Sequence, residues 1–211
     1  MKVVIVGGVA GGATAAARIR RLNEQAEIVV FERSGYISYA NCGLPYYIGG
    51  VIEDPEDLTL QTPESFFSRF RIHMKVHHEV TAIHPDSKTV SVKNLETGEI
   101  FEESYDKLLL SPGAKPVWPN LPGMNSDKLF TLRTVEDTFR IKEFVDQQRP
   151  KSAVMVGGGF IGLEVAENLR ELGMEVTIVQ RPKQLMNPFD ADMASFIHSE
   201  VRKHGVKLAL G

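Results

Sequence analysis

One thiol is present, Cys42, in the run Ser38-Tyr39-Ala40-Asn41-Cys42-Gly43-Leu44-Pro45-Tyr46-Tyr47, behind a glycine-rich stretch, Gly7-Gly8-Val9-Ala10-Gly11-Gly12. Taken alone, a cysteine is most often a small buried hydrophobe. A sulfur close behind a phosphate-type loop points instead to redox chemistry beside a bound cofactor. A second glycine-rich turn, Gly157-Gly158-Gly159-Phe160-Ile161-Gly162, has the full G-x-G-x-x-G spacing. Its first glycine permits a tight turn and its second lets a pyrophosphate approach the backbone. Its third lets helix and strand pack closely, and the helix N-terminus faces the phosphate charge. In the first loop Gly7 and Gly12 hold the outer places, and Val9 takes the middle one with Gly8 and Gly11 beside it. Glu32, ending the following strand, is placed to accept hydrogen bonds from ribose hydroxyls, or is an ordinary exposed acid. At the matching place in the second half stand Gln180 and Arg181. Without a carboxylate a 2′-phosphate is not repelled, and a guanidinium can pair with it. That tilts the expectation toward NADPH over NADH, against the alternative of a plain surface arginine.

The positions that would complete an internal C-x-x-x-x-C disulfide with Cys42 hold Ile37 and Tyr47. Cys42 must then pair with an external thiol or cycle through an oxidised single-sulfur state. The six histidines (His73, His77, His78, His84, His198 and His204) show no metal-ligand spacing with acids or thiols and read as surface residues.

These groups need elements to hold them, and the 211 residues are ample for a core of one large or two small domains. The net charge of −3, with no block of like charges, gives no support for nucleic-acid binding. No apolar run approaches a membrane span. Lys2 and the small residues to Ala17 could pass for a signal peptide, but Gly7, Gly8, Gly11 and Gly12 interrupt it and Arg18, Arg20 and Arg21 continue a helical pattern. A cytoplasmic location with no membrane partner is the expectation. Lys2–Val6 reads as a buried strand, 11–22 as a helix packed through alanines, and Glu27–Glu32 as a second strand. Residues 35–62 read as loop, Pro63–Arg71 as a helix, and Val76–Ile83, Thr89–Asn94 and Glu99–Glu103 as an antiparallel meander. Leu108–Leu110 is a buried strand, and Pro116, Pro119 and Pro122 mark a connection before a helix at 134–147. The opening theme then returns: strand Ala153–Val156, a turn over 157–162, helix Leu163–Leu172 and strand Glu175–Val179, about 150 residues after the first copy. A helix over 190–204 and a strand from Val206 to Leu210 follow. The expected class is α/β: two Rossmann-like, FAD/NAD(P)-binding three-layer units with a small antiparallel meander, truncated after an edge strand.

The signatures Gly7–Ala13, Ser38–Tyr46, Ser104-Tyr105-Asp106-Lys107-Leu108 through Gly113, and Gly157–Glu164 resemble the N-terminal part of the single-cysteine pyridine nucleotide–disulfide oxidoreductases. Within them the chain is most similar to coenzyme A–disulfide reductases and NAD(P)H-dependent CoA-persulfide reductases, over essentially all its length. The resemblance implies that NAD(P)H passes a hydride to FAD and that the reduced flavin cleaves a mixed disulfide between Cys42 and coenzyme A. It implies cofactor-binding positions at Gly7, Val9, Ala10, Gly11, Gly12, Glu32, Arg33, Ser111, Gly113, Gly157, Gly159, Phe160, Ile161, Gly162, Glu164, Gln180 and Arg181. Family positions that contact CoA match Thr14, Arg18, Arg21, Ser38 and Asn41. Arg18 and Arg21 lie three apart on one helical face, suited to CoA phosphates or simply a solvated basic face. Phe160 takes the place of an aromatic that covers the flavin, or packs at the turn. Glu164 matches an acid near the nicotinamide, or partners the helix dipole. Related NADH oxidases and peroxidases carry a histidine where this chain has Ala10, which favours a reductase. The resemblance further implies residues 1–113 as the first segment of an FAD domain, 114–150 as connection and helix, and 151–211 as an incomplete NAD(P) domain. It implies a homodimer through a C-terminal domain outside these residues, so that the piece alone is inactive, or a non-catalytic nucleotide-binding fragment.

Overall fold

The computed structural model describes residues 1–118 and 120–211. In chain order it has strand β1 (Lys2–Val6), helix α1 (Ala10–Leu22), β2 (Glu27–Phe31), a short turn at Asn41–Gly43, and α2 (Leu44–Gly49). Helix α3 (Pro63–Phe70) and strands β3 (His73–Lys75), β4 (His78–His84), β5 (Thr89–Asn94), β6 (Ile100–Ser104) and β7 (Lys107–Leu110) follow. The last third holds α4 (Val135–Gln148), β8 (Ser152–Val156), α5 (Phe160–Glu171), β9 (Glu175–Gln180), α6 (Ala191–Lys203) and β10 (Lys207–Leu210). Two compact units result, one of Met1–Ala40 with Thr59–Lys115, the other of Asn41–Leu58 with Pro116–Gly211.

In the first unit a parallel sheet runs β3-β2-β1-β7. Strand β1 is a continuous aliphatic run because both its faces are covered. On one face α1 lies close through Gly12, Ala13 and Ala16, all buried, over Val3, Ile5, Ile28 and Val30. On the other, the antiparallel sheet β4-β5-β6 brings Val90 and Val92 onto Val4, Val29 and Phe31.

The second unit repeats the first part of this plan as a parallel sheet β10-β9-β8, with α5 packed on it. Helices α2 and α4 join the same core through Ile48, Ile141 and Val145. Tyr47 meets Phe139 edge-on with ring centroids 5.5 Å apart.

The expected mixed α/β class, with two parallel βαβ units and an antiparallel meander, holds. Three local expectations change. Residues 35–62 contain a helix, α2, admitted because Pro45 sits in its first turn, where a missing N–H costs nothing, and closed by Gly50 at φ +79°. The strand expected over Val76–Ile83 starts later, as β4 from His78 after His77 turns the chain at φ +55°, and an unexpected short strand, β3, precedes it parallel to β2. Helices α1 and α5 begin inside their glycine motifs, at Ala10 and Phe160, so the stretch 157–162 is half turn and half helix. The connection keeps Pro116 and Pro122 outside regular structure, and Pro119 lies outside the described residues. Among the described residues no helix is long and apolar enough to cross a membrane.

Candidate functional site

Strand β1 leads into Gly7, whose φ of +95° suits a residue without a Cβ, and whose N–H donates to Phe31 O at 2.8 Å. A Cβ on Gly12 would stand 1.7 Å from the Gly7 carbonyl oxygen, so glycine there sets how tightly α1 can start. Ser111 closes the far side of the loop, its N–H bonded to Val6 O at 2.7 Å and its carbonyl 2.0 Å from where a Gly7 Cβ would be. Gly113 follows at φ +69°. Glu32 is gripped from two sides: Oε2 accepts from the Gly8 N–H at 2.7 Å and Oε1 from the Ser34 N–H at 2.8 Å. A carboxylate has about four acceptor directions, so two are left for ribose hydroxyls. Arg33 points away into an ion pair with Glu79 at 3.6 Å.

The second unit repeats this geometry. Gly157 has φ +109° and donates to Val179 O at 2.9 Å, and a Gly162 Cβ would fall 2.1 Å from Gly157 O. Gln180 does for Gly158 what Glu32 does for Gly8, accepting its N–H on Oε1 at 3.0 Å. Space above Gly159 is open, with nothing within 4 Å of where its Cβ would be. Phe160 and Ile161 open α5 exposed to solvent, and Glu164 is half-buried one turn on. Val156, Gly157, Val179, Gln180 and Arg181 line a cleft of about 460 Å³ at the C-terminal ends of the strands, where ligands of such sheets bind.

The two loops fit a dinucleotide by a contrast with helices α3 and α4. Helices α3 and α4 begin with capping boxes at Thr62 and Thr134 and with acids in their first turns. Helices α1 and α5 have neither a side-chain cap nor a first-turn acid. Their leading N–H groups and the positive ends of their dipoles are left for an outside anion.

One further residue completes each cradle; sequence reading gives Ser38 only as a position matching a CoA contact and misses Met186. Ser38, at φ +46°, donates its N–H to Gly8 O at 3.0 Å, and Met186, at φ +50°, donates to Gly158 O at 2.8 Å. Each follows a fully buried aliphatic: Leu185 occupies the space left by the missing Cβ of Gly158, and Ile37 closes on that of Gly8 together with the Glu32 Cβ. The repeat thus reaches into the loops after β2 and β9, at the same offset from Glu32 and Gln180. No side-chain pattern announces it, because backbone groups make the bonds and neither Ser nor Met favours positive φ.

Cys42 sits in the turn before α2 and is exposed, which removes the buried-hydrophobe reading. Next to it, Asn41 Oδ1 is buried with no hydrogen-bond partner among the described residues. In the first unit Thr14, Arg18 and Arg21 stand exposed at successive turns of α1. Arg20, between them, is tied down to the Phe70, Arg71 and Glu24 carbonyls. No ion pair engages Arg18 or Arg21 among the described residues. The histidines are not uniformly surface groups as expected: His198 is half-buried, and its Nε2 accepts the Leu185 N–H at 2.9 Å.

Comparison with known proteins agrees with this geometry. The family model described as pyridine nucleotide-disulphide oxidoreductase matches residues 1–211. A Staphylococcus aureus protein named coenzyme A disulfide reductase is 46% identical over 209 residues, 99% of this chain and 47% of the relative. The chain thus spans about half the length of the curated relatives it matches. The crystal structure of reduced Bacillus anthracis CoADR-RHD superposes with a TM-score of 0.97 at 51% identity, covering 99% of this chain and 38% of that one. A water-forming NADH oxidase from Lactobacillus brevis, bound to NADH, gives a TM-score of 0.92 at 36% identity, covering 100% of this chain and 46% of that one. With two cradles of one design and a family match over its whole length, the chain belongs to the pyridine nucleotide-disulphide oxidoreductases.

Proposed function

We propose that the chain is the nucleotide-binding, thiol-bearing part of a flavoenzyme that uses NAD(P)H to reduce coenzyme A disulfide or coenzyme A persulfide through Cys42. The observation that carries this reading is one exposed thiol, without a second cysteine, in a chain with two phosphate cradles. Residues 1–113 contribute the first segment of an FAD domain, 114–150 a connection and helix, and 151–211 the first part of an NAD(P) domain.

FAD, when bound, supplies the two-electron relay between nicotinamide and sulfur. The α1 N-terminus of the first cradle would hold its pyrophosphate, and Glu32, already oriented by Gly8 and Ser34, would accept from its ribose. The second cradle, open at Gly159, would hold NAD(P)H. The amide of Gln180 and the guanidinium of Arg181, in place of an acid, favour the 2′-phosphate of NADPH. Cys42 attacks one sulfur of the CoA disulfide, expels one CoA thiolate and keeps the other as a mixed disulfide. Two electrons from NAD(P)H then release the second CoA and restore the Cys42 thiolate. Thr14, Arg18 and Arg21 offer an exposed edge suited to the CoA phosphates, with no ion pair to either arginine among the described residues, and the orphaned Asn41 Oδ1 offers a polar contact beside the thiol. Ala10, exposed at the start of α1, has no group to give a proton to oxygen or peroxide, which separates this reading from an oxidase.

The test is steady-state NAD(P)H oxidation by the full-length protein with CoA disulfide, CoA persulfide, peroxide and oxygen as acceptors. A sulfur acceptor should win by a large factor, and oxygen or peroxide winning overturns the reading. Cys42→Ser should lose disulfide reduction by more than about a hundredfold while NAD(P)H still bleaches the flavin. Full turnover in that variant removes Cys42 from the mechanism. We also propose a cytoplasmic homodimer assembled through residues beyond this chain.

A further inference from the structure

The two cradles differ in what holds the latch residue. In the first unit Ile37 is fixed by a backbone bridge to Gln61. In the second, the equivalent Leu185 gives its N–H to a side chain, His198 Nε2 on α6, at 2.9 Å. From there the contacts run inward. Leu185 is fully buried, and its Cδ2 fills the place of a Gly158 Cβ, 2.3 Å from where that atom would be. Met186 donates to Gly158 O at 2.8 Å, and the Gly158 N–H donates to Gln180 Oε1 at 3.0 Å. The same segment carries Arg181, which lines the cleft, and Lys183.

We propose that His198 is a positioning residue for nicotinamide-nucleotide binding: its neutral imidazole holds the 181–189 segment against the second phosphate loop, and protonation releases it. The proposal rests on the second cradle binding NAD(P)H. Nε2 accepts, so the ring proton is on Nδ1. A second proton turns Nε2 into a donor facing another donor, and the Leu185 N–H loses its partner. The charged and titratable residues of the adjoining elements are Arg181 and Lys183 in the segment, Asp192, Glu200, Arg202 and Lys203 on α6, and Asp190 and His204 at the two ends of α6. Lys207, on the neighbouring β10, completes the set. Among the described residues none forms an ion pair with His198. Glu200 is occupied by His204 and Lys203, and Lys207 by Glu175. The first cradle has no titratable group in this role, so flavin binding should not follow the same pH dependence.

The experiment titrates the flavin-loaded, full-length protein with NADP+ and with NAD+ by calorimetry at neutral and at acid pH, and reads the pH dependence from NAD+, which has no 2′-phosphate to take up a proton. Amide exchange at Leu185 and Met186 is followed in parallel. Wild type should lose about tenfold in affinity on acidification, the scale of one lost hydrogen bond. His198→Gln, whose amide oxygen accepts at every pH, should give a flat profile. His198→Leu should bind about tenfold more weakly throughout and exchange the Leu185 amide faster, with flavin content unchanged. Wild-type-like affinity and exchange in His198→Leu overturn the proposal. If that variant does not fold, a His198→Gln profile that still falls on acidification overturns it. Binding of neither nucleotide by wild type defeats the second-cradle reading, whereas amide exchange in the variants still decides whether His198 holds the segment.

Discussion

Lys2 shows how one side chain links two layers of the first unit. Its Nζ contacts Glu103 on β6 and lies 3.1 Å from Glu27, its register partner on β2. The Glu103 hydrogen bond raises the Lys2 pKa above its ordinary 10.5, partial burial opposes that, and Glu27 adds to it. A raised pKa means that the folded state keeps this proton when the unfolded chain has begun to lose it. The stability Lys2 contributes is therefore complete below pH 10.5 and is lost as pH rises through the folded value. Urea titrations at increasing alkaline pH should show the wild-type stability falling faster than that of Lys2→Met. Parallel curves would show that the link contributes nothing. Glu32 and Gln180 act at the same scale: each accepts from its own glycine loop, Glu32 also accepts from the Ser34 N–H, and Gln180 Nε2 donates to Gln184 O at 3.5 Å.

Helices α2 and α5 meet where Gly49 faces Asn168. Asn168 is buried, its Nδ2 donates to Glu164 O at 2.8 Å, and its Oδ1 has no partner among the described residues. A Cβ on Gly49 would stand 2.0 Å from that Oδ1. Gly49→Ala should thus destabilise the protein by about 1–3 kcal/mol, despite the better helix propensity of alanine, because the two helices must part. Adding Asn168→Ala should recover much of the loss, a coupling that a double-mutant cycle in urea reads directly. Additive effects would mean that the two residues do not share this contact. The same helix shows where sequence reading stops. Strands β1 and β8 were readable as aliphatic runs ended by glycines, β9 as an aliphatic run after Gly173, and α1 and α5 by the glycines that open them. Helix α2 is only six residues long, with a proline in its first turn, and β3 has three residues. Elements that short carry no period, and tertiary packing decides them. The glycine cradles, Glu32 and Gln180 were readable as residue types. The Ser38 and Met186 latches and the His198 hold were not, since each depends on a backbone N–H whose partner lies far away in the chain.

Across the whole molecule the repeat is closest in its cradles and diverges in what covers its sheets. The pairs Val4–Val29 and Val6–Phe31 of the first sheet correspond to Val154–Thr177 and Val156–Val179 of the second. In the first unit Val4, Val29 and Phe31 are buried under Val90 and Val92 of the antiparallel sheet. In the second, Val154 is 62%, Val156 80% and Val179 40% exposed. A parallel sheet with an uncovered aliphatic face is unusual, because such strands normally have both faces packed. Contiguous apolar surface of this kind recruits dyes, partners or further copies. Purified as 211 residues, the chain should bind anilinonaphthalene sulfonate and self-associate with rising concentration. The double substitution Val154→Thr with Val156→Thr keeps the β-branched shape that suits a strand while adding two hydroxyls. It should lower both dye fluorescence and the sedimenting mass, with the far-ultraviolet dichroism of the sheet retained. Unchanged fluorescence and mass would place the adhesive surface elsewhere, with the exposed Phe160 and Ile161 beside the second cradle next to be tested. Loss of dichroism would instead mean that these valines stabilise the strand itself. Substituting Thr177, which already carries a hydroxyl on the same face, separates the two outcomes.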